Sequence, residues 1–206
     1  MIAKILTVDP EKRERILNAA RKEFAQKGYN DASTNEIVKE AGISKGALFH
    51  YFESKKELYL FLFDHTYDIL RKEFFGKINL EETDIFKRLR QTLETKLEML
   101  LKYPETIEFM TKTYYETSEI TPYVEEKMKT IMAENYAMLF NNLDTSKFRD
   151  DLDPQRAINI VLYTMEGFSM REQNKLKKFP QDKPDYEAMF VEVDMYLAML
   201  QKCLYK

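Results

Sequence analysis

The 206-residue chain is 44% hydrophobic and 33% charged, a balance that gives a packed core and excludes an intrinsically disordered chain. No apolar run approaches a membrane span, and the apolar part of Met1–Leu6 is too short for a secretory signal. A single cysteine, Cys203, excludes an internal disulfide, so a reducing cytoplasm is the expected compartment and a buried small hydrophobe its expected role. The net charge of −3 argues against a generic nucleic-acid binder, yet residues 1–60 hold 11 basic and 9 acidic residues, leaving the deficit in the remainder.

Scarce Gly (5) and Pro (6) imply few turns and long elements. Helical periodicity runs throughout, and no segment alternates with period two, so the expected fold is all-α. Asp9-Pro10 reads as an N-cap followed by proline at the first helical position. Ile16, Ala20 and Phe24 follow at helical spacing, and Gly28 is expected to close this helix in a left-handed C-cap. Ser33 and Glu36 form a capping-box pattern that opens a short helix to about Glu40. Ala41-Gly42-Ile43 is a tight turn, and Ser44 caps a third helix over about Lys45–Tyr51. A second capping box, Ser54 with Glu57, opens a long helix to about Phe75.

The remainder reads as helices over about 84–101, 104–115, 122–142, 154–174 and 185–204. Thr121-Pro122 and Asp153-Pro154 are start signals, and 175–183 is a polar connection.

Residues 33–52 therefore make a helix, a glycine turn and a second helix: a helix-turn-helix. In that motif the first helix braces on the phosphates and the second enters the major groove by its N-terminal end. The second helix then needs small or polar residues in front and apolar ones behind. Ser44, Lys45, Gly46 and Ala47 stand in front; Leu48 and Phe52 stand behind. Phe49, His50 and Tyr51 fall where a short helix meets sugar and phosphate, and Lys55 adds charge at the next helix start.

The run from Gly28-Tyr29 through Ser33-Thr34-Asn35-Glu36-Ile37-Val38 and Ala41-Gly42-Ile43-Ser44-Lys45-Gly46-Ala47-Leu48-Phe49-His50-Tyr51-Phe52 to Ser54-Lys55-Lys56-Glu57-Leu58 closely resembles the DNA-binding signature of the TetR family. The resemblance covers about residues 10–60. It implies a DNA-binding domain over 1–54 and a helical sensing and dimerisation domain over 55–206. It implies a homodimer through about 154–174 and 185–204, bound to a palindromic operator and, usually, released by a small molecule. Carried over by position, Ser33, Thr34, Ser44, Lys45, Gly46, Ala47, Phe49, His50, Tyr51 and Lys55 are the DNA-contact candidates. Ser33 and Ser44 are the helix-start contacts to phosphate, and Tyr51 and Lys55 the backbone clamps. Two positions depart from the pattern. Ala47 replaces a common Thr or Ser and can still meet a thymine methyl. Phe49 replaces a frequent Tyr and loses a phosphate-donating hydroxyl.

Tyr67, Phe109, Tyr114, Tyr136, Met165 and Phe168 are candidates to line a hydrophobic effector pocket, although such stripes equally fill a core. Neither a metal-ligand spacing nor a nucleophile motif nor a glycine-rich phosphate loop occurs, so no enzyme, metal or cofactor is expected. Two other readings stay open: a DNA-binding protein controlled by a protein partner, with a closed core, and a helical enzyme or carrier whose helix-turn-helix is incidental.

Overall fold

The computed structural model describes residues 4–178 and 184–206, the side chains of 176 and 177 excepted. The expected signal-free start at Met1–Ala3 and the end of the 175–183 connection lie outside the described residues. The regular elements are helices: α1 (Pro10–Asp31), α2 (Thr34–Ala41), α3 (Lys45–Tyr51), α4 (Lys55–Lys77), α5 (Ile85–Lys102), α6 (Pro104–Tyr114), α7 (Thr121–Phe140), α8 (Pro154–Lys178) and α9 (Tyr186–Leu204), with 3-10 turns at Lys4–Thr7 and Thr145–Lys147. The all-α expectation holds. Among the described residues the β-structure is one isolated antiparallel bridge, Phe148 to Tyr205. No described helix is long and apolar enough to cross a membrane.

Local capping explains most helix starts. The Asp9, Asp153 and Asp185 carboxylates accept the N–H groups of Lys12, Arg156 and Ala188, which would otherwise lack partners in the first turn. Two expected ends differ. Gly28 does not close α1: it has φ 72° and ψ −177°, a region open to glycine alone, and the helix resumes to Asp31. Lys175–Lys178, expected in the polar connection, continue α8.

The chain packs as two compact units. The first runs to Lys77 and includes Glu98–Asn135. Its core joins Ile16, Leu17, Ala20 and Phe24 of α1 to Ile37 of α2, Leu48 of α3, Leu58, Tyr59, Leu62 and Phe63 of α4, and Phe109 of α6. Tyr59 is its aromatic hub. Phe24 and Tyr29 meet its ring edge-on at 4.7 and 5.3 Å, and its hydroxyl shares a 2.7 Å hydrogen bond with Thr113.

The second unit comprises Ile78–Leu97 and Tyr136–Lys206. Ile85, Phe86 and Leu89 of α5 pack with Ala157, Ile158, Val161 and Met165 of α8 and Val193, Leu197 and Leu204 of α9. Arg88 is fully buried, and its guanidinium donates to the carbonyls of Leu139 (2.7 Å), Leu80 (2.8 Å) and Glu82. It thereby pairs backbone acceptors at the end of α7 and in the loop before α5. Cys203, expected to be buried, is exposed.

Candidate DNA interface and effector cleft

The helix-turn-helix is built by short-range chemistry. Gly42 sits in the left-handed region (φ 65°, ψ 39°) after α2, and the Ile43 N–H returns to the Val38 carbonyl at 3.0 Å. Arg15 of α1 donates to the Ala41 carbonyl at 3.0 Å and fastens the turn from behind. Ser44 caps α3 by accepting the Ala47 N–H at 3.1 Å. Leu48 and Phe52 are buried at 1% and 2% exposure, so α3 is anchored along one side. Ser44, Lys45, Gly46, Phe49 and His50 are exposed on the other, and Ala47 and Tyr51 are half-buried.

Ser33 departs from its expected capping box. Its hydroxyl caps nothing; its backbone N–H donates instead to the Glu23 carboxylate of α1 at 2.8 Å. Burial works to raise the Glu23 pKa, but this N–H and the Lys27 ammonium hold the carboxyl below its ordinary value. The Ser33 hydroxyl stays uncommitted at the start of α2, beside half-buried Thr34. The second box does form, one residue out of register. Ser54 accepts the Glu57 N–H, and the Glu57 carboxylate accepts the Glu53 N–H. Lys55, expected as a phosphate clamp, donates to the Asn30 carbonyl at 2.9 Å and lies over the Tyr29 ring. Its charge sits at the junction of α1 and α4.

Two neighbours of α3 escaped the sequence reading. The Lys4–Thr7 turn packs on α3 through fully buried Ile5, and the Lys12 ammonium lies 5.9 Å over the Tyr51 ring. Local periodicity carries no signal for a four-residue turn whose partner lies some forty residues on.

The effector candidates are placed unevenly. In the first unit Tyr67 lines an open cleft of about 480 Å³ between α4 and α7, with Asp68 and Arg71 on one wall and Tyr123, Lys127 and Glu134 on the other. Its walls are tied together by polar bonds. Tyr67 donates to Asn135 at 3.2 Å, Tyr123 donates to Asp64 at 2.5 Å, and Lys127 pairs with Asp64 at 3.5 Å. Burial, then the Asp64 carboxylate, raise the Tyr123 pKa. Phe109 is fully buried against Tyr59, and Tyr114 is exposed beside Tyr115. In the second unit Met165 and Phe168 belong to the core and Tyr136 is exposed. For Phe109, Met165 and Phe168 the packing role describes the observed surroundings.

A sequence profile of the bacterial regulatory proteins of the tetR family matches residues 16–61. QacR of Staphylococcus aureus, a helix-turn-helix transcriptional regulator, is 30% identical over 186 residues, covering 82% of this chain and 94% of that protein. YuxN of Bacillus subtilis, an uncharacterised regulator of the same type, is 39% identical over 118 residues, covering 56% of this chain. That match spans only 38% of the length of YuxN. A TetR family transcriptional regulator from Chloroflexus aurantiacus has a similar crystal structure, with a TM-score of 0.58 at 22% identity over 98% of this chain and 97% of that one. The chain belongs to the TetR family of bacterial regulatory proteins.

Proposed function

We propose that this protein is a sequence-specific DNA-binding transcriptional regulator that represses from a palindromic operator and leaves it when a small molecule binds. In this reading residues 1–54 bind DNA, and 55–206 sense the effector and dimerise. The observation that carries it is α3: anchored by Leu48 and Phe52, it turns Ser44, Lys45 and Gly46 outward at its N-terminal end. Lys45 reaches a phosphate or a guanine edge, Gly46 lets the backbone approach, and Ala47 meets a thymine methyl. Ser33, Thr34, Ser44, Phe49, His50 and Tyr51 contact sugar and phosphate.

The dimer is supported by an uncovered apolar stripe on each of two helices. Ile160, Tyr163 and Met170 of α8 are 49%, 66% and 62% exposed, and Val191, Met195 and Met199 of α9 are 56%, 55% and 59% exposed. Gly167 lies in the α8 stripe, and a β-carbon there would meet nothing within 4 Å, which leaves room for a partner helix. Two-fold pairing of these helices covers the stripes, and a twofold dimer suits a palindromic site with half-sites about 34–36 Å apart or a multiple of that.

Release runs through α4, an unbroken helix from Lys55, beside the head, to Tyr67 in the cleft. It acts as a lever about 18 Å long between these residues, at 1.5 Å per residue. An effector shifts the equilibrium only by binding the DNA-incompetent state better than the other.

The test is binding of wild type and Lys45→Ala to genomic DNA fragments across a salt series. One preferred fragment, bound by two chains, with affinity falling as salt rises and a log–log slope reduced by about one in the variant, is the expected result. Equal binding to every fragment, with an unchanged slope in Lys45→Ala, overturns it.

A further inference from the structure

Uncommitted positive charge in the head gathers at one helix. Residues 1–60 carry 11 basic side chains. Among the described residues, all of them but Lys4, Lys12 and Lys45 reach a protein oxygen through a hydrogen bond or an ion pair. Arg15 holds the Ala41 carbonyl at 3.0 Å, Lys22 holds Glu40 at 2.9 Å, and Lys55 holds the Asn30 carbonyl at 2.9 Å. The three left over lie on α3 or against it. Lys45 opens α3, and Lys4 belongs to the turn that packs on α3. The Lys12 ammonium, from the first turn of α1, lies 5.9 Å over the ring of Tyr51 at the end of α3.

Of these three, Lys12 is the one whose ammonium is seated on an α3 ring. The carboxylate of its own turn does not neutralise it, because Asp9 accepts the Lys12 backbone N–H as the cap of α1. Tyr51 is positioned as well. Its ring is half-buried against the core of the first unit, and its hydroxyl takes no hydrogen bond among the described residues. The face of a phenol ring attracts an ammonium, so the ring keeps the charge near a hydroxyl that is free to donate. A charged donor beside a neutral one suits the oxygens of a backbone phosphate. Lys55, the clamp that the resemblance assigns, is bound to α1 instead, and Lys12 stands where a second cation is available to α3.

We propose that Lys12 and the Tyr51 hydroxyl grip one backbone phosphate of the bound duplex, so that α1 supplies the clamp cation in place of Lys55. The contact adds affinity and fixes the docking of α3 without reading sequence. It deepens the DNA-binding reading and rests on it only for the identity of the partner.

The experiment measures binding of wild type, Lys12→Gln, Lys12→Arg and Lys55→Gln across a salt series. Each protein meets two DNAs: the genomic fragment that wild type prefers and a random-sequence duplex. Lys12→Gln should lower the log–log slope by about one on both DNAs and leave the preference between them as in wild type. Lys12→Arg should restore the slope, and Lys55→Gln should keep it. A neutral methylphosphonate placed at each phosphate of the preferred fragment in turn should find one position that weakens wild type but not Lys12→Gln. A merely structural role for Lys12 would move neither the slope nor that position. The proposal is overturned if Lys12→Gln keeps the wild-type slope, if Lys12→Arg is as low as Lys12→Gln, or if Lys55→Gln takes the loss instead. A loss confined to the preferred fragment places Lys12 on a base edge and also overturns it. The two readings fail separately. If wild type prefers no fragment, sequence-specific regulation is lost, while the slope of Lys12→Gln on the random duplex still decides the clamp. Wild type that binds neither DNA in a salt-dependent way overturns both.

Discussion

Glu116 accepts the backbone N–H of Tyr29 at 2.9 Å, and the same carboxylate oxygen lies 3.1 Å from where a β-carbon on Gly28 would stand. The glycine break at the end of α1 thus presents an N–H to the loop after α6. Glu119 of that loop accepts from the Tyr29 hydroxyl and pairs with Lys56 at 3.4 Å. Gly28→Ala forces a β-carbon into a positive-φ conformation and against the carboxylate. The variant should lose about 1–2 kcal/mol of stability, read as a lower urea midpoint at unchanged slope. An unshifted midpoint would mean that the break is free to close into regular helix.

Ile5 gives a second prediction. It is fully buried in the core that supports α3, so Ile5→Ala should cost about 2–4 kcal/mol. Because it removes no charge, DNA affinity should fall without a change in the salt slope. A changed slope would place this turn in direct contact with phosphate.

Tyr59 makes stability pH-dependent on the alkaline side. Burial, with a smaller push from Glu116 and against the hydrogen bond with Thr113, raises its pKa to about 12 from 10.0. The folded state therefore holds this proton where the unfolded chain releases it. The contribution is intact below pH 10 and is lost as pH rises toward 12. The melting temperature of wild type should drop more between pH 9 and pH 11.5 than that of Tyr59→Phe. Parallel curves would show that the hydroxyl ionises as freely when folded as when unfolded.

The stripe on α8 and α9 supplies a test of assembly. Tyr163 is 66% exposed, so Tyr163→Glu should leave the fold of each chain intact while setting a charge into the proposed dimer face. Sedimentation should then report a monomer whose helical circular dichroism matches wild type. A Tyr163→Glu variant that remains dimeric would move the interface elsewhere.

Most of the fold is legible in the sequence because its punctuation is local. Asp9, Asp153, Asp185 and Ser44 cap helices through amides three residues away, and Gly42 turns the chain within its own neighbourhood. The recognition helix is legible for the same reason, since Leu48 and Phe52 repeat at one turn. Tertiary structure decided where a polar group had a choice of partners. The Ser33 amide takes Glu23 from α1 instead of Glu36, Lys55 takes the Asn30 carbonyl, and Tyr29 takes Glu116 from 87 residues away. It also decided that Phe109 fills a core while Tyr67 lines a cleft. Spacing along a helix determines which residues share a face. What that face meets depends on chain segments far away in sequence, and those segments determine whether a polar group is paired locally, paired at a distance or buried.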